Sequence, residues 1–196
     1  MENSKLEKSV VEQREDSKPK RVFIELGTHA YPVPILGSRK FKEDETYIGI
    51  DIDPKKIKQA AEGTKEQKDM SGGSFFFLQA DAAGLPIKDK TTDEVFVGNM
   101  FGDGSISEAT KEKLLQESKR ILKDGGVIII NETITPLPSA KMKHFIIKEG
   151  LEIIKQVNKN SAEWEKTLVE YDMDYIKNDL ANKNSYTLFL KIEEQK

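Results

Sequence analysis

The chain has 196 residues, 37% of them apolar and 33% charged, enough for a domain with a core of its own. It has no cysteine and only two histidines, His29 and His144, which excludes disulfides, thiolate metal sites and a histidine-rich metal cluster. A net charge of -3, with arginine only at Arg14, Arg21, Arg39 and Arg120, argues against a broad nucleic-acid binder, because arginine is the residue that grips phosphate and guanine bidentately.

Residues 1–19 are polar and charged and read as a flexible N-terminal tail, with the folded domain expected over residues 20–196. The N-terminus lacks the apolar stretch of a signal peptide, and no run is long enough to span a membrane, so a soluble cytoplasmic protein is expected. Five short apolar runs follow: RVFIE at 21–25, TYIGI at 46–50, SFFFL at 74–78, EVFV at 94–97 and GVIII at 126–130. They are continuous rather than alternating, the pattern of strands covered on both faces. Helical patterns lie between them. Pro54 marks one helix start, ahead of Ile57, Ala60 and Ala61. Residues 106–123 place Leu114, Leu115, Ser118, Ile121 and Leu122 on one helical face, with a glycine stop at 125–126, and residues 139–149 form a further helix ending at Gly150. The alternation predicts right-handed crossovers and a parallel sheet.

The end of the chain breaks that rhythm. LEIIKQV at 151–157 reads as a sixth strand, Trp164, Leu168, Tyr171 and Tyr175 as the core face of a helix, and SYTLFLKI at 185–192 as a seventh strand. The seventh is expected antiparallel beside the sixth, with the first strand central.

Ligands of an open parallel sheet bind outside the carboxyl ends of its strands, where the strand order reverses. The residues just after the strands are Glu25 and Gly27, Asp51 and Asp53, Asp81, Asn99, and Glu132. Around them stand VFIELG at 22–27, YIGIDIDP at 47–54, QADAAGLP at 79–86 followed by DEVFV at 93–97, and ESKRILKDGGV at 117–127. In this order and spacing, over about residues 20–132, the four segments resemble the motifs of class I S-adenosylmethionine-dependent methyltransferases. The resemblance implies a Rossmann-like three-layer α/β sandwich, with a seven-stranded, mostly parallel sheet and an antiparallel last strand. It implies S-adenosylmethionine as cofactor, with Glu25, Gly27, Asp51, Ile52, Asp81, Ala82 and Asn99 as candidate binding residues, and no metal. Asp51 would accept the ribose hydroxyls and Ile52 would cover one adenine face. Asp81 and the Ala82 amide would meet the adenine edge, and Met100 or Phe101 would close its other face. Glu25 would contact the cofactor's amino group through water or orient the loop. Plainer roles compete: Asp51 as a helix cap, a position that suits Asp53 better, and Asp81 as a turn residue.

The first loop departs from the family pattern of three alternating glycines, since His29 and Tyr31 follow Gly27 where glycine is usual. The alternative reading is therefore a catalytically inactive methyltransferase-like binding or regulatory domain. A nicotinamide-dependent oxidoreductase fits less well, because Gly-x-Gly-x-x-Gly is absent after the first strand. Candidate bases are His29, Asp103 and Glu132. Asn99 is followed by Met100 and Phe101 without the prolines usual in methylation of nucleic-acid base amines. The compact size leaves little beyond loops to shape a pocket, which favours a small-molecule acceptor over RNA or protein.

Overall fold

A computed structural model describes residues 21–32, 39–66, 72–133, 138–159, 161–171 and 185–193. The expected tail and Tyr175 lie outside the described residues. The strands are β1 (Arg21–Leu26), β2 (Glu45–Asp51), β3 (Ser74–Gln79), β4 (Thr92–Gly98), β5 (Leu122–Glu132), β6 (Leu151–Asn158) and β7 (Tyr186–Ile192). Among the described residues the helices are α1 (Pro54–Gly63), α2 (Glu108–Ile121), α3 (Ala140–Lys148) and α4 (Ala162–Glu170). All seven strands form one sheet in the order β3-β2-β1-β4-β5-β7-β6. β1 to β5 run parallel, and β7 lies antiparallel between β5 and β6. This is the expected Rossmann-like sandwich with an antiparallel last strand. The expectation that β1 is central is corrected: β1 lies third in the sheet and β4 is the middle strand, because β5, β7 and β6 all add on the β4 side.

Strand side chains alternate between faces, and two cores result. Ile24, Leu26, Val95, Val97, Ile128 and Ile130 pack with Leu114, Leu115 and Ile121 of α2 and Met142 and Ile146 of α3. On the opposite face Phe23, Tyr47, Phe96, Ile129 and Phe189 pack with Phe41 and with Trp164 and Leu168 of α4. Each helix begins at a side-chain cap. Asp53 accepts from Lys55 N ahead of Pro54, and Ser107, Ser139 and Ser161 cap the other three helices. Asp53, not Asp51, is therefore the helix cap.

Two expectations are corrected. The glycines at 125–126 do not stop α2. The helix passes directly into β5 at Leu122, which pairs with Thr92, and the register shifts before Val127 pairs with Glu94. Pairing to β4 wins over the local stop signal, and the glycines take up the irregularity, with Gly125 at φ 81°. A Cβ on Gly126 would stand 2.9 Å from the Asp93 carbonyl oxygen and 2.8 Å from the Leu122 side chain. Gly126→Ala is therefore expected to lower stability by about 1–3 kcal/mol through overpacking. Gly84→Ala, which meets nothing within 4 Å, should stay within about 0.5 kcal/mol of the parent. Urea unfolding of the two variants checks the contrast.

The second correction concerns β3. Residues 80–91 carry no helix, so this edge strand is not covered on both faces and Phe76 is 57% exposed. The connection is held by α2 instead. Arg120 donates to the carbonyls of Ile87 (2.8 Å) and Leu85 (3.0 Å), and Glu117 accepts from Leu85 N at 2.7 Å.

Candidate functional site

The strand order reverses between β1 and β4, so the ligand crevice of this sheet lies outside their carboxyl ends. The loop after β1 is tied to β2 by Gly27 N and Thr28 N, both donating to the Ile50 carbonyl, and by His29 N donating to Asp51 Oδ2 at 2.9 Å. Beneath it lies a buried polar cluster. The Glu25 carboxylate accepts from the Thr28 hydroxyl at 3.1 Å and from the Tyr47 hydroxyl, and those two hydroxyls are 3.0 Å apart. Gly49 makes room for it, since a Cβ there would lie 2.9 Å from the Tyr47 hydroxyl and 3.0 Å from that of Thr28. Glu25 thus orients the loop through Thr28.

Gly27 sits at φ 72° and His29 at φ 54°, both in the left-handed region that glycine adopts freely and other residues at a cost of roughly 1–2 kcal/mol. His29 therefore keeps a backbone turn typical of glycine while carrying a side chain. Its ring is exposed and stacks with that of Tyr31 at 6.4 Å, and Tyr31 is 70% exposed. Neither side chain is buried in the sheet edge.

Asp51 is buried at the end of β2. Its Oδ1 accepts from Asp53 N and its Oδ2 from His29 N, each at 2.9 Å. A carboxylate oxygen can accept two hydrogen bonds, so Asp51 has capacity for a diol after fixing both loops. Beside it Ile52 is 66% exposed, an apolar surface at the same edge. Asp81 is exposed after β3, with Oδ1 accepting from Ala83 N at 2.9 Å and its carbonyl from Gly84 N. It is a turn residue at the crevice edge, and Ala82 packs partly against the core.

At the end of β4, Asn99 also has a left-handed backbone, at φ 54°. Its Oδ1 accepts from Thr133 N at 2.7 Å and from the Thr133 hydroxyl at 2.6 Å, tying this end to β5. Met100 lies against the first loop, because a Cβ on Gly27 would stand 2.9 Å from its sulfur. Phe101 is buried among the core residues around Leu26 and Ile50. Of the two residues expected for the second adenine face, Phe101 is in the core and Met100 stands beside Gly27.

The candidate bases separate. Hydrogen bonds from the Ser105 hydroxyl and amide hold the Asp103 carboxyl below the usual range, which makes it a poor proton acceptor. Burial pushes Glu132 up to about 7, but its side chain is wholly buried and both oxygens accept backbone amides. Of the three candidate bases, Glu132 is the one enclosed in the core with both oxygens occupied by backbone amides. His29 is exposed on the first loop. The cluster under that loop escaped sequence reasoning. Its only sequence signals are Tyr47 two residues before Gly49 and Thr28 next to Gly27, and neither points to the other.

The residues present fit an adenosine-bearing ligand. A diol acceptor, an apolar face and an acidic turn follow β2 and β3, and a glycine whose Cβ position is filled follows β1. Comparison with known proteins agrees. Residues 27–130 match the family described as "Methyltransferase domain". Among solved structures, an S-adenosylmethionine-dependent methyltransferase from Clostridium acetobutylicum ATCC 824 shares 11% identity at a TM-score of 0.62, covering 89% of this chain and 85% of that one. The geranyl diphosphate C-methyltransferase of Streptomyces coelicolor A3(2), in complex with Mg2+, geranyl diphosphate and S-adenosyl-L-homocysteine, shares 10% at 0.60, covering 91% and 74%. The (4+2) cyclase SpnF shares 14% at 0.61, covering 91% and 78%. At these identities the likeness to the solved structures is one of fold. No curated protein matches the sequence.

Proposed function

Because the chain belongs to the methyltransferase domain family, we propose that it is an S-adenosylmethionine-dependent methyltransferase acting on a small molecule. The family match and the S-adenosylmethionine-dependent structures support that cofactor. The observation that carries the reading is the hydrogen bond from His29 N to Asp51 Oδ2. It joins the first loop to the acid at the end of β2, on the β2 side of the point where strand order reverses.

S-adenosylmethionine supplies an activated methyl group on a positively charged sulfur, so the protein's work is alignment. Asp51 accepts the ribose hydroxyls and Ile52 covers one face of the adenine. Asp81 and the Ala82 amide meet the adenine edge. Gly27 lets the backbone approach the methionine end, and Glu25 fixes the loop that carries it. Asn99 fixes the end of β4. A small acceptor is supported by the geranyl diphosphate C-methyltransferase among the similar folds.

A thermal-shift titration tests this reading. S-adenosylmethionine and S-adenosylhomocysteine are expected to raise the unfolding midpoint, because a ligand that binds only the native state stabilises it. NAD is expected to leave it unchanged. A shift with NAD alone would refute the reading. The second reading, a binding domain without methyl transfer, is favoured by His29 and Tyr31 standing at two glycine positions, and the cyclase SpnF is a similar fold with another stated chemistry.

A further inference from the structure

Glu132 has no part in the proposed chemistry, yet it is a wholly buried carboxylate at the carboxyl end of β5. Its Oε1 accepts from Phe101 N at 2.8 Å and its Oε2 from Gly102 N at 3.0 Å. These are the two residues after Met100, whose sulfur fills the space above Gly27. A second tie, from Thr133 to Asn99 Oδ1, holds the other end of the same segment. Residues 99–102 are therefore tied to the end of β5, and Met100 among them stands beside Gly27 of the first loop. We propose that Glu132 is a positioning residue that sets cofactor affinity by holding Met100 and its neighbours against Gly27. The inference rests on the proposed function of this crevice.

The chemistry of the tie makes it sensitive to pH. An ionised carboxylate only accepts hydrogen bonds, so it satisfies both amides, whereas a protonated one turns a donor towards one of them. Burial pushes Glu132 up to about 7, while the two amides and Lys111 of α2 favour the charged form and Asp103 opposes it. Lys111 is itself paired with Glu108 at 3.2 Å. The cross-strand neighbour Tyr186 on β7 directs its hydroxyl to the Met142 sulfur of α3. Deprotonation of Glu132 tightens the loop, so cofactor affinity rises with pH through neutrality.

The test is calorimetric titration with S-adenosylhomocysteine from pH 6 to 8.5, on the parent, Glu132→Gln and His29→Asn. Histidine is the side chain that ordinarily changes charge in this range, which makes the last variant the control. The parent is expected to bind about tenfold more tightly at pH 8 than at pH 6, the effect of one hydrogen bond to a charged group. Glu132→Gln should bind about tenfold more weakly than the parent at pH 8, with a flat profile. His29→Asn should keep the pH step. Without ligand, amide hydrogen exchange over residues 99–102 should be faster in Glu132→Gln than in the parent. A parent that binds at no pH refutes the proposed function and this inference with it. A parent that binds, beside a folded Glu132→Gln with the same affinity, pH step and exchange, refutes the inference alone. A step that survives in Glu132→Gln and vanishes in His29→Asn also overturns it.

Discussion

Arg39→Ala is expected to lower the unfolding free energy by about 3–5 kcal/mol, the cost of removing one partner from a buried ion pair. Arg39 and Glu94 are both buried and their charges lie 3.1 Å apart. Glu45, also buried, is 3.9 Å from the same guanidinium, and the more exposed Arg21 reaches Glu94 at 3.1 Å and Glu45 at 3.5 Å. The Arg39 guanidinium also lies over the rings of Phe23 and Phe41, at 4.4 and 5.0 Å, so the substitution loses stacking as well as charge. This network closes the amino ends of β1, β2 and β4, opposite the crevice. Burial raises the Glu94 carboxyl above its usual range, and Arg39 and Arg21 oppose that rise. Without Arg39 the rise is larger. A raised carboxyl favours folding below its unfolded pKa and loses that contribution as pH climbs through the folded value. The deficit of Arg39→Ala should therefore be smaller at pH 5 than at pH 8, which urea unfolding at the two values measures. Because the network is remote from the crevice, ligand affinity of the folded fraction should not change.

Asp51→Ala carries the largest expected effect on binding. Losing hydrogen bonds from the ribose to a charged acceptor costs about 1.5–3 kcal/mol, or roughly 10- to 150-fold in S-adenosylhomocysteine affinity. The same change frees His29 N and Asp53 N, which loosens the first loop and adds to the loss. Stability should fall by about 1–2 kcal/mol, since each freed amide was worth about 1 kcal/mol, and the fold should survive. Asp51→Asn keeps one acceptor oxygen and is expected to fall between the parent and the alanine variant. Unchanged calorimetric affinity in folded Asp51→Ala would contradict the assignment.

Much of the fold is readable along the chain because each strand of the parallel sheet is a continuous apolar run and each helix start carries Asp or Ser as a cap. What could not be read depends on distant partners. The glycines at 125–126 look locally like a helix stop, and only the pairing of Leu122 with Thr92 turns them into part of β5. The run SFFFL looks fully covered, but Phe76 is exposed because no helix forms over residues 80–91. The candidate site divides in the same way. Gly27, Asp51, Asp81 and Asn99 are candidates by position alone, each at or just after the carboxyl end of a strand. The partners that fix them, Tyr47 for Glu25 and Thr133 for Asn99, lie 22 and 34 residues away. Phe101 is adjacent to Met100 in sequence, yet one is core and the other faces the first loop.

The central claim is that the first loop still admits the methionine half of the cofactor. His29 keeps the left-handed turn, and the rings of His29 and Tyr31 are exposed. Calorimetric affinities for S-adenosylhomocysteine and adenosine, measured on the same preparation, test this most directly. S-adenosylhomocysteine is predicted to bind at least about tenfold more tightly, the worth of about one hydrogen bond to its charged amino-acid end. Equal affinities would mean that the methionine half finds no site, and would contradict the account.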